Sequence, residues 1–175
     1  MATDNRPDAV RAKVWLREQL LERMRPCRVL DCYAGIDGEM YSGAWSRADS
    51  YLGIDRRIRI QTDARRRIVG DTLDVLEQLD LEPFTVFDVD AYGSPWDALV
   101  AIGQRRMFTV PFGLALTDGT QGQMRWGTMS ETMAELLGRR SIKLVFGGGE
   151  HAREIHRRCL ARWCALNGLH VVEGW

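Results

Sequence analysis

Asp88, Asp90, Tyr92 and Gly93 stand together in the run Phe87-Asp88-Val89-Asp90-Ala91-Tyr92-Gly93-Ser94-Pro95, which closes an apolar stretch beginning at Phe84. An apolar segment that stops at acids, then offers a small residue, an aromatic and a glycine, suits a strand's C-terminal edge, where ligands bind in open α/β sheets. A carboxylate at Asp90 can accept a hydrogen bond from an amino group, and the Tyr92 ring can stack on a flat heterocycle. Together they can hold an exocyclic amino nitrogen in line with an electrophilic methyl carbon.

A second constellation is Arg28-Val29-Leu30-Asp31-Cys32-Tyr33-Ala34-Gly35-Ile36-Asp37-Gly38-Glu39-Met40. A short apolar strand runs into Asp31, and a turn containing Ala34, Gly35 and Gly38 lets backbone N–H groups approach a ligand closely. Dinucleotide loops put neutral residues and a helix N-terminus against pyrophosphate, which Asp31 would repel. The acid suits a cationic or zwitterionic ligand, such as the amino-acid end of S-adenosylmethionine (SAM). Taken by itself, this loop leaves a structural or dinucleotide reading open.

Two more strand-like runs end in acids: Tyr51-Leu52-Gly53-Ile54-Asp55, and Arg67-Ile68-Val69-Gly70-Asp71-Thr72. Asp55 stands where ribose hydroxyls are bound in sheets of this kind. Singly, each acid reads as a solvated strand-end residue. In chain order, Asp31, Asp55, Asp71 and then Asp88 or Asp90 would gather at one edge of a parallel sheet, around one crevice.

These residues need elements to position them. Val10, Val14, Leu21 and Met24, with Leu16 and Leu20 beside them, predict an amphipathic helix over 8–25, stopped by Pro26. Strands are predicted at 28–33, 51–55, 67–70, 84–89 and 112–117, the last running into Asp118. Helices are predicted at 39–48, through Leu73, Val75, Leu76 and Leu79, at 95–104, at 131–137 and at 150–166. In the last, Ala152, Ile155, Cys159, Trp163 and Leu166 share a face, and Asn167-Gly168 ends it. Residues 141–146 read as strand or extended loop, Gly147-Gly148-Gly149 as a turn, and 169–173 as a final strand. The alternation predicts one α/β domain over 1–175, Rossmann-like, with a mainly parallel central sheet, helices on both faces, and residues 1–26 packed on the core as an N-terminal helix.

The 45% hydrophobic and 27% charged residues are ordinary for a soluble globular chain. No apolar run approaches the roughly 20 residues of a membrane helix. Residues 1–7 lack the features of a signal peptide, so a cytoplasmic location is expected. Cys27, Cys32, Cys159 and Cys164 form no CxxC pair and read as buried thiols. With His151, His156 and His170 unclustered, neither a metal site nor a Ser-His-Asp enzyme is expected. Net charge is zero, yet only Lys13 and Lys143 of the 24 basic residues are lysines. Arginines gather at Arg56-Arg57-Arg59, Arg65-Arg66-Arg67, Arg105-Arg106, Arg139-Arg140 and along Arg153, Arg157, Arg158 and Arg162, any of which could hold phosphate in bidentate fashion. Trp126 and Trp175 receive no role.

The 28–40 segment resembles motif I of the class I SAM-dependent methyltransferases, in which Asp31 and Gly35 match and Asp37 replaces the second glycine. At Asp88-Val89-Asp90-Ala91-Tyr92-Gly93-Ser94-Pro95 the likeness narrows. The segment is similar to motif IV of the tRNA guanine-N2 dimethyltransferases, Asp-Leu-Asp-Pro-Phe/Tyr-Gly-Ser-Pro, with Ala91 replacing the proline. Gly113-Leu114-Ala115-Leu116-Thr117-Asp118 and the helix over 150–168 resemble later segments of that family.

The resemblance implies a class I methyltransferase fold and catalysis by Asp90, as acceptor for the target amino group, and Tyr92, as stacking ring. It implies a SAM site, with S-adenosylhomocysteine as product, drawn from Asp31, Tyr33, Ala34, Gly35, Asp55, Arg56, Asp71, Thr72 and Asp88. The expected substrate is nucleic acid, RNA ahead of DNA, with guanine N2 in tRNA foremost. The family grips tRNA with a C-terminal domain, and the sequence ends at Trp175. The expectation is therefore that the core and its arginines bind substrate, that a protein partner does so, or that the substrate differs from the family's. The other readings are a DNA amino-methyltransferase (adenine N6 or cytosine N4), a non-catalytic module that binds nucleic acid or a partner, and a small-molecule methyltransferase.

Overall fold

The computed structural model describes residues 7–57, 64–120, 124, 126–143 and 149–174, and the side chains of 149–151 are not described. Arg59, Gly147, Gly148, Trp175, residues 1–6 and 144–146 of the predicted extended segment lie outside this range.

Five strands form a parallel sheet: β1 (Arg28–Asp31), β2 (Ser50–Asp55), β3 (Arg67–Val69), β4 (Val86–Asp90) and β5 (Gly113–Thr117). Their order is β3-β2-β1-β4-β5, and every pairing is parallel. The helices are α1 (Pro7–Arg23), α2 (Glu39–Gly43), α3 (Thr72–Gln78), α4 (Trp96–Arg105), α5 (Glu131–Leu136) and α6 (Gly149–Leu166), with a 3-10 turn at Trp45–Arg47.

Alternation along the strands sorts side chains onto two faces. Val29, Tyr51, Val86 and Ala115 pack with Leu20 and Leu21 of α1 and with Ala44 and Trp45. On the opposite face, Leu30, Ile54, Phe87 and Val89 pack with Leu76 of α3 and with Ala98 and Ile102 of α4. A further cluster joins α4 to α5 and α6 through Trp96, Leu99, Met133, Ile155, Cys159 and Trp163. Helices thus cover both faces, and all four cysteines are buried free thiols. Among the described residues, no helix is long and apolar enough to cross a membrane.

Three expectations are corrected. The helix predicted over 39–48 ends at Gly43. A Cβ at Gly43 would meet Val14 Cγ2 at 2.7 Å, so α1 crosses close to it, and the chain then turns Trp45 fully into the core. Leu166 is exposed, leaving Ile155, Cys159, Trp163 and Cys164 as the buried side of α6. The final strand over 169–173 does not form. Val171 and Val172 are exposed, and the tail instead meets α1, where Arg23 Nε donates to Glu173 Oε2 at 3.1 Å. Strand propensity at Val171-Val172 needs an edge to pair with, and the tail reaches none.

Candidate active site

Chain order reverses between β1 and β4, with β2 and β3 to one side and β5 to the other. At such a switch point the loops leaving adjacent strands diverge and open a crevice. Register sets Asp31 opposite Asp88 there, with Asp90 opposite Thr117. Asp31, Asp88 and Asp90 fall on the α1 side of the sheet, in phase with Val29 and Val86.

Clustered carboxylates repel, and α1 supplies the compensation. Arg17 Nε donates to Asp88 Oδ2 and Nη2 to Oδ1, each at 2.6 Å, and Trp45 Nε1 donates to Oδ2 at 2.6 Å. Arg17 and Asp88 are wholly buried. A buried ion pair persists only when it is well hydrogen-bonded, and this one has three donors on one carboxylate. Burial works against the Arg17 charge, but Asp88, Asp90 and Asp31 together hold its pKa above the ordinary value. Arg17 Nη2 also reaches Asp90 Oδ2 at 3.2 Å, and Lys13 Nζ donates to Asp90 Oδ1 at 2.7 Å.

Asp31 is 2% exposed. Its Oδ2 accepts from Tyr51 OH at 2.9 Å and its Oδ1 from Tyr33 N at 3.2 Å. Burial, then the Asp88 charge, pushes its pKa up to about 8 against the pull of Tyr51, Arg17 and Tyr33. Lys13 and Arg17 thus stand against Asp88 and Asp90, while burial and the Asp88 charge favour the protonated form of Asp31. Burial beside Asp31 also raises the Tyr51 phenol, which stays a donor.

The remaining expected site residues divide into two groups. Around the crevice, Ala34 N donates to Ile54 O at 3.0 Å, tying the glycine loop to β2. Gly35 adopts φ +67°, and a Cβ there would meet nothing within 4 Å, so the loop is open on that side. Tyr33 and Asp55 are half-buried, and Asp55 Oδ1 accepts from Arg57 N at 2.8 Å.

Asp71, Arg56 and Thr72 make hydrogen bonds within the fold. Asp71 caps α3 through Leu73 N at 2.9 Å and binds Arg56 Nε at 2.8 Å. The Arg56 bond foremost, then the cap, hold Asp71 below the usual carboxylate range. Thr72 Oγ1 donates to Cys32 O at 2.6 Å, locking α3 to the end of β1. Asp88, expected near the cofactor, is likewise committed to Arg17 and Trp45.

Tyr92 is 75% exposed at the same edge. Its loop is fixed from the β5 side. Gly119 N donates to Gly93 O at 3.0 Å, and a Cβ at Gly119 would lie 2.2 Å from Tyr92 O. Ser94 Oγ donates to Ser130 Oγ at 3.1 Å. Asp118 fastens the surrounding helices: Trp96 Nε1 donates to its Oδ2 at 3.0 Å, Thr120 N to its Oδ1 at 2.6 Å, and His156 Nε2 stands 2.9 Å from Oδ2. Burial raises the Asp118 carboxyl, but His156 and Thr120 outweigh it and hold the pKa below the usual range.

The arginine clusters divide too. Arg65 is buried, with Nη2 donating to Ile36 O at 3.2 Å, and Arg106 lies buried beside the Phe87, Phe108 and Phe112 rings. Arg139, Arg140, Arg153, Arg157, Arg158 and Arg162 are exposed.

Lys13, Arg17, Trp45 and Tyr51 are the residues that sequence reasoning missed. Arg17 carried a signal, because it interrupts the apolar stripe Val10, Val14, Leu21, Met24 at a position the helical period turns inward. Comparison with family models, curated proteins and solved structures gives no match for this chain.

Proposed function

We propose that this chain is a SAM-dependent methyltransferase acting on an exocyclic amino nitrogen of a nucleic-acid base, guanine N2 in RNA foremost. One observation carries the reading. Asp90 closes β4 beside the switch point, and two residues on, the exposed Tyr92 ring is presented by a loop that packs against Gly119, just beyond β5. A carboxylate and an open aromatic face at that spacing suit a flat base bearing an amino group. The finer fold reading, a Rossmann-like class I methyltransferase, is supported by the β3-β2-β1-β4-β5 order, that of nucleotide-binding parallel sheets through the fifth strand.

The donor set fits SAM. The open Gly35 turn offers backbone N–H groups, Tyr33 and Ala34 flank it, and Asp55 at the end of β2 suits ribose hydroxyls. Asp31 lies beneath that loop, where an approaching ammonium would favour its ionised form. When bound, SAM supplies an electrophilic methyl on a sulfonium whose leaving group is a neutral thioether. The protein then has mainly to align nitrogen, methyl carbon and sulfur and to exclude water. Asp90 accepts from the target amine and orients its lone pair. Tyr92 stacks on the ring, and a base drawn from a duplex would be flipped out at a cost of a few kcal/mol. Ala91 lacks the fixed φ of proline, and the Gly119 contact supplies rigidity in its place.

Transfer of labelled methyl from SAM to unmodified tRNA and to duplex DNA, beside an Asp90→Ala control and a SAM titration by calorimetry, tests this. Label in RNA that disappears in the variant, with SAM affinity retained, is the expected result. Label in DNA would move the substrate to that polymer. SAM binding with no transfer to either would favour a non-catalytic module, a reading supported by the engagement of both Asp90 oxygens with α1. Absence of SAM binding would end the proposal.

A further inference from the structure

The Lys13 ammonium stands 2.7 Å from Asp90 Oδ1, the separation expected of a charge-assisted N–H···O bond. In the proposed reaction that oxygen belongs to the amino group of the target base. We infer that Lys13 is a cis-bound stand-in for the substrate amine, which must displace it to engage Asp90. The inference rests on the methyltransferase reading and deepens it by naming what guards the acceptor.

Two properties set Lys13 apart from Arg17, the other cation on Asp90. Arg17 is wholly buried and forked onto Asp88, so it cannot leave without stranding a buried carboxylate. Among the described residues the Lys13 ammonium makes one bond, and its side chain stays 32% exposed, against 11% for Asp90. Its four-carbon stem lets the ammonium swing into water. Arg17 therefore holds Oδ2 as a fixed wall of the site, and Oδ1 is the exchangeable position. The choice of residue agrees, because a chain that otherwise uses arginine almost throughout has one of its two lysines here.

The consequence is a penalty that falls on amino-bearing bases alone. A base with an amino group replaces one N–H···O bond to Asp90 by another and can win the exchange. A base without one has nothing to offer Oδ1 and leaves Lys13 in place. Lys13 thus lowers affinity for amino-bearing bases, and its removal should help those bases selectively.

The test uses two fluorescent RNA oligonucleotides that differ at one nucleotide, guanosine or inosine, which lacks the exocyclic amine. Their affinities for the wild-type chain and for Lys13→Met are measured by anisotropy with S-adenosylhomocysteine present. Losing a positive charge weakens RNA binding for both oligonucleotides alike, so the guanosine-to-inosine ratio isolates the exchange. That ratio should rise roughly three- to tenfold in Lys13→Met, the range expected for losing one competing charge-assisted bond at a half-exposed site. An unchanged or reduced ratio, with guanosine still preferred by the wild type, overturns the inference and makes Lys13 a positioning residue for Asp90. Equal affinity for both oligonucleotides in both proteins removes the guanine-amine reading itself, and this inference with it.

Discussion

Asp31→Asn offers the sharpest test of the electrostatics at the switch point. The native carboxyl titrates near 8, whereas in the unfolded chain it returns to its ordinary value of 3.8. Between those two values the native state holds a proton that the unfolded state has lost. Stability is therefore fully present below about pH 4 and falls as pH rises toward 8, by at most about 1.4 kcal/mol per pH unit for one proton. Asparagine is close in shape to the protonated acid and does not titrate, so the variant should lose this slope. Its amide oxygen can accept from Tyr51 OH or Tyr33 N, but its NH2 cannot serve the other donor, which costs about 0.5–1.5 kcal/mol.

The two effects cross. The variant should be the less stable protein at about pH 4, equal the wild type between about pH 4 and 5, and become the more stable by a few kcal/mol at pH 8. Asp71 and Asp118 are held below the usual range and lose their contributions only under more acidic conditions, so they do not obscure this window. Urea denaturation of both proteins at pH 5, 6, 7 and 8 reads the difference directly. A difference that stays constant across those four values would refute the account of Asp31 as a buried, protonated acid.

Two further substitutions probe what holds the site. Arg17→Met should cost about 3–5 kcal/mol by urea denaturation, since it leaves Asp88 buried without its counter-ion; adding Asp88→Asn, which keeps an acceptor for Trp45, should recover part of that loss. Gly119→Ala puts a Cβ against the Tyr92 carbonyl and must move one backbone, so about 1–3 kcal/mol of stability and most methyl transfer should be lost, with SAM affinity retained.

The strands and their acids were legible because two local signals coincide. Each strand is a short apolar run, and all five runs meet an acid at or within two residues of their C-terminal end, so Asp31, Asp55, Asp71, Asp90 and Asp118 fell where a parallel sheet places them. Sequence order does not say which acids face solvent. Asp71 looks like Asp55 in the sequence, yet it caps α3 and binds Arg56. Asp88 lies two residues from Asp90 on the same face, yet only Asp90 keeps any exposure. The division between Asp88 and Asp90 depends on what α1 and the Ala44–Trp45 break bring across the sheet, contacts that span up to 77 residues of chain. Local pattern cannot encode them.

The same long-range contacts explain why the N-terminal helix belongs to the site. A parallel sheet that collects acids at its switch point faces a repulsion it must relieve by counter-ions, by protonation or by exposure. This chain uses all three, at three adjacent carboxyls. Asp88 receives the Arg17 fork, Asp31 retains a proton, and Asp90 stays near enough to solvent to exchange its partner. The division leaves Asp90 as the carboxylate with an oxygen a ligand can claim. A helix that merely covered the sheet would need apolar residues at positions 13 and 17, and the cations there are what single out Asp90 from its neighbours.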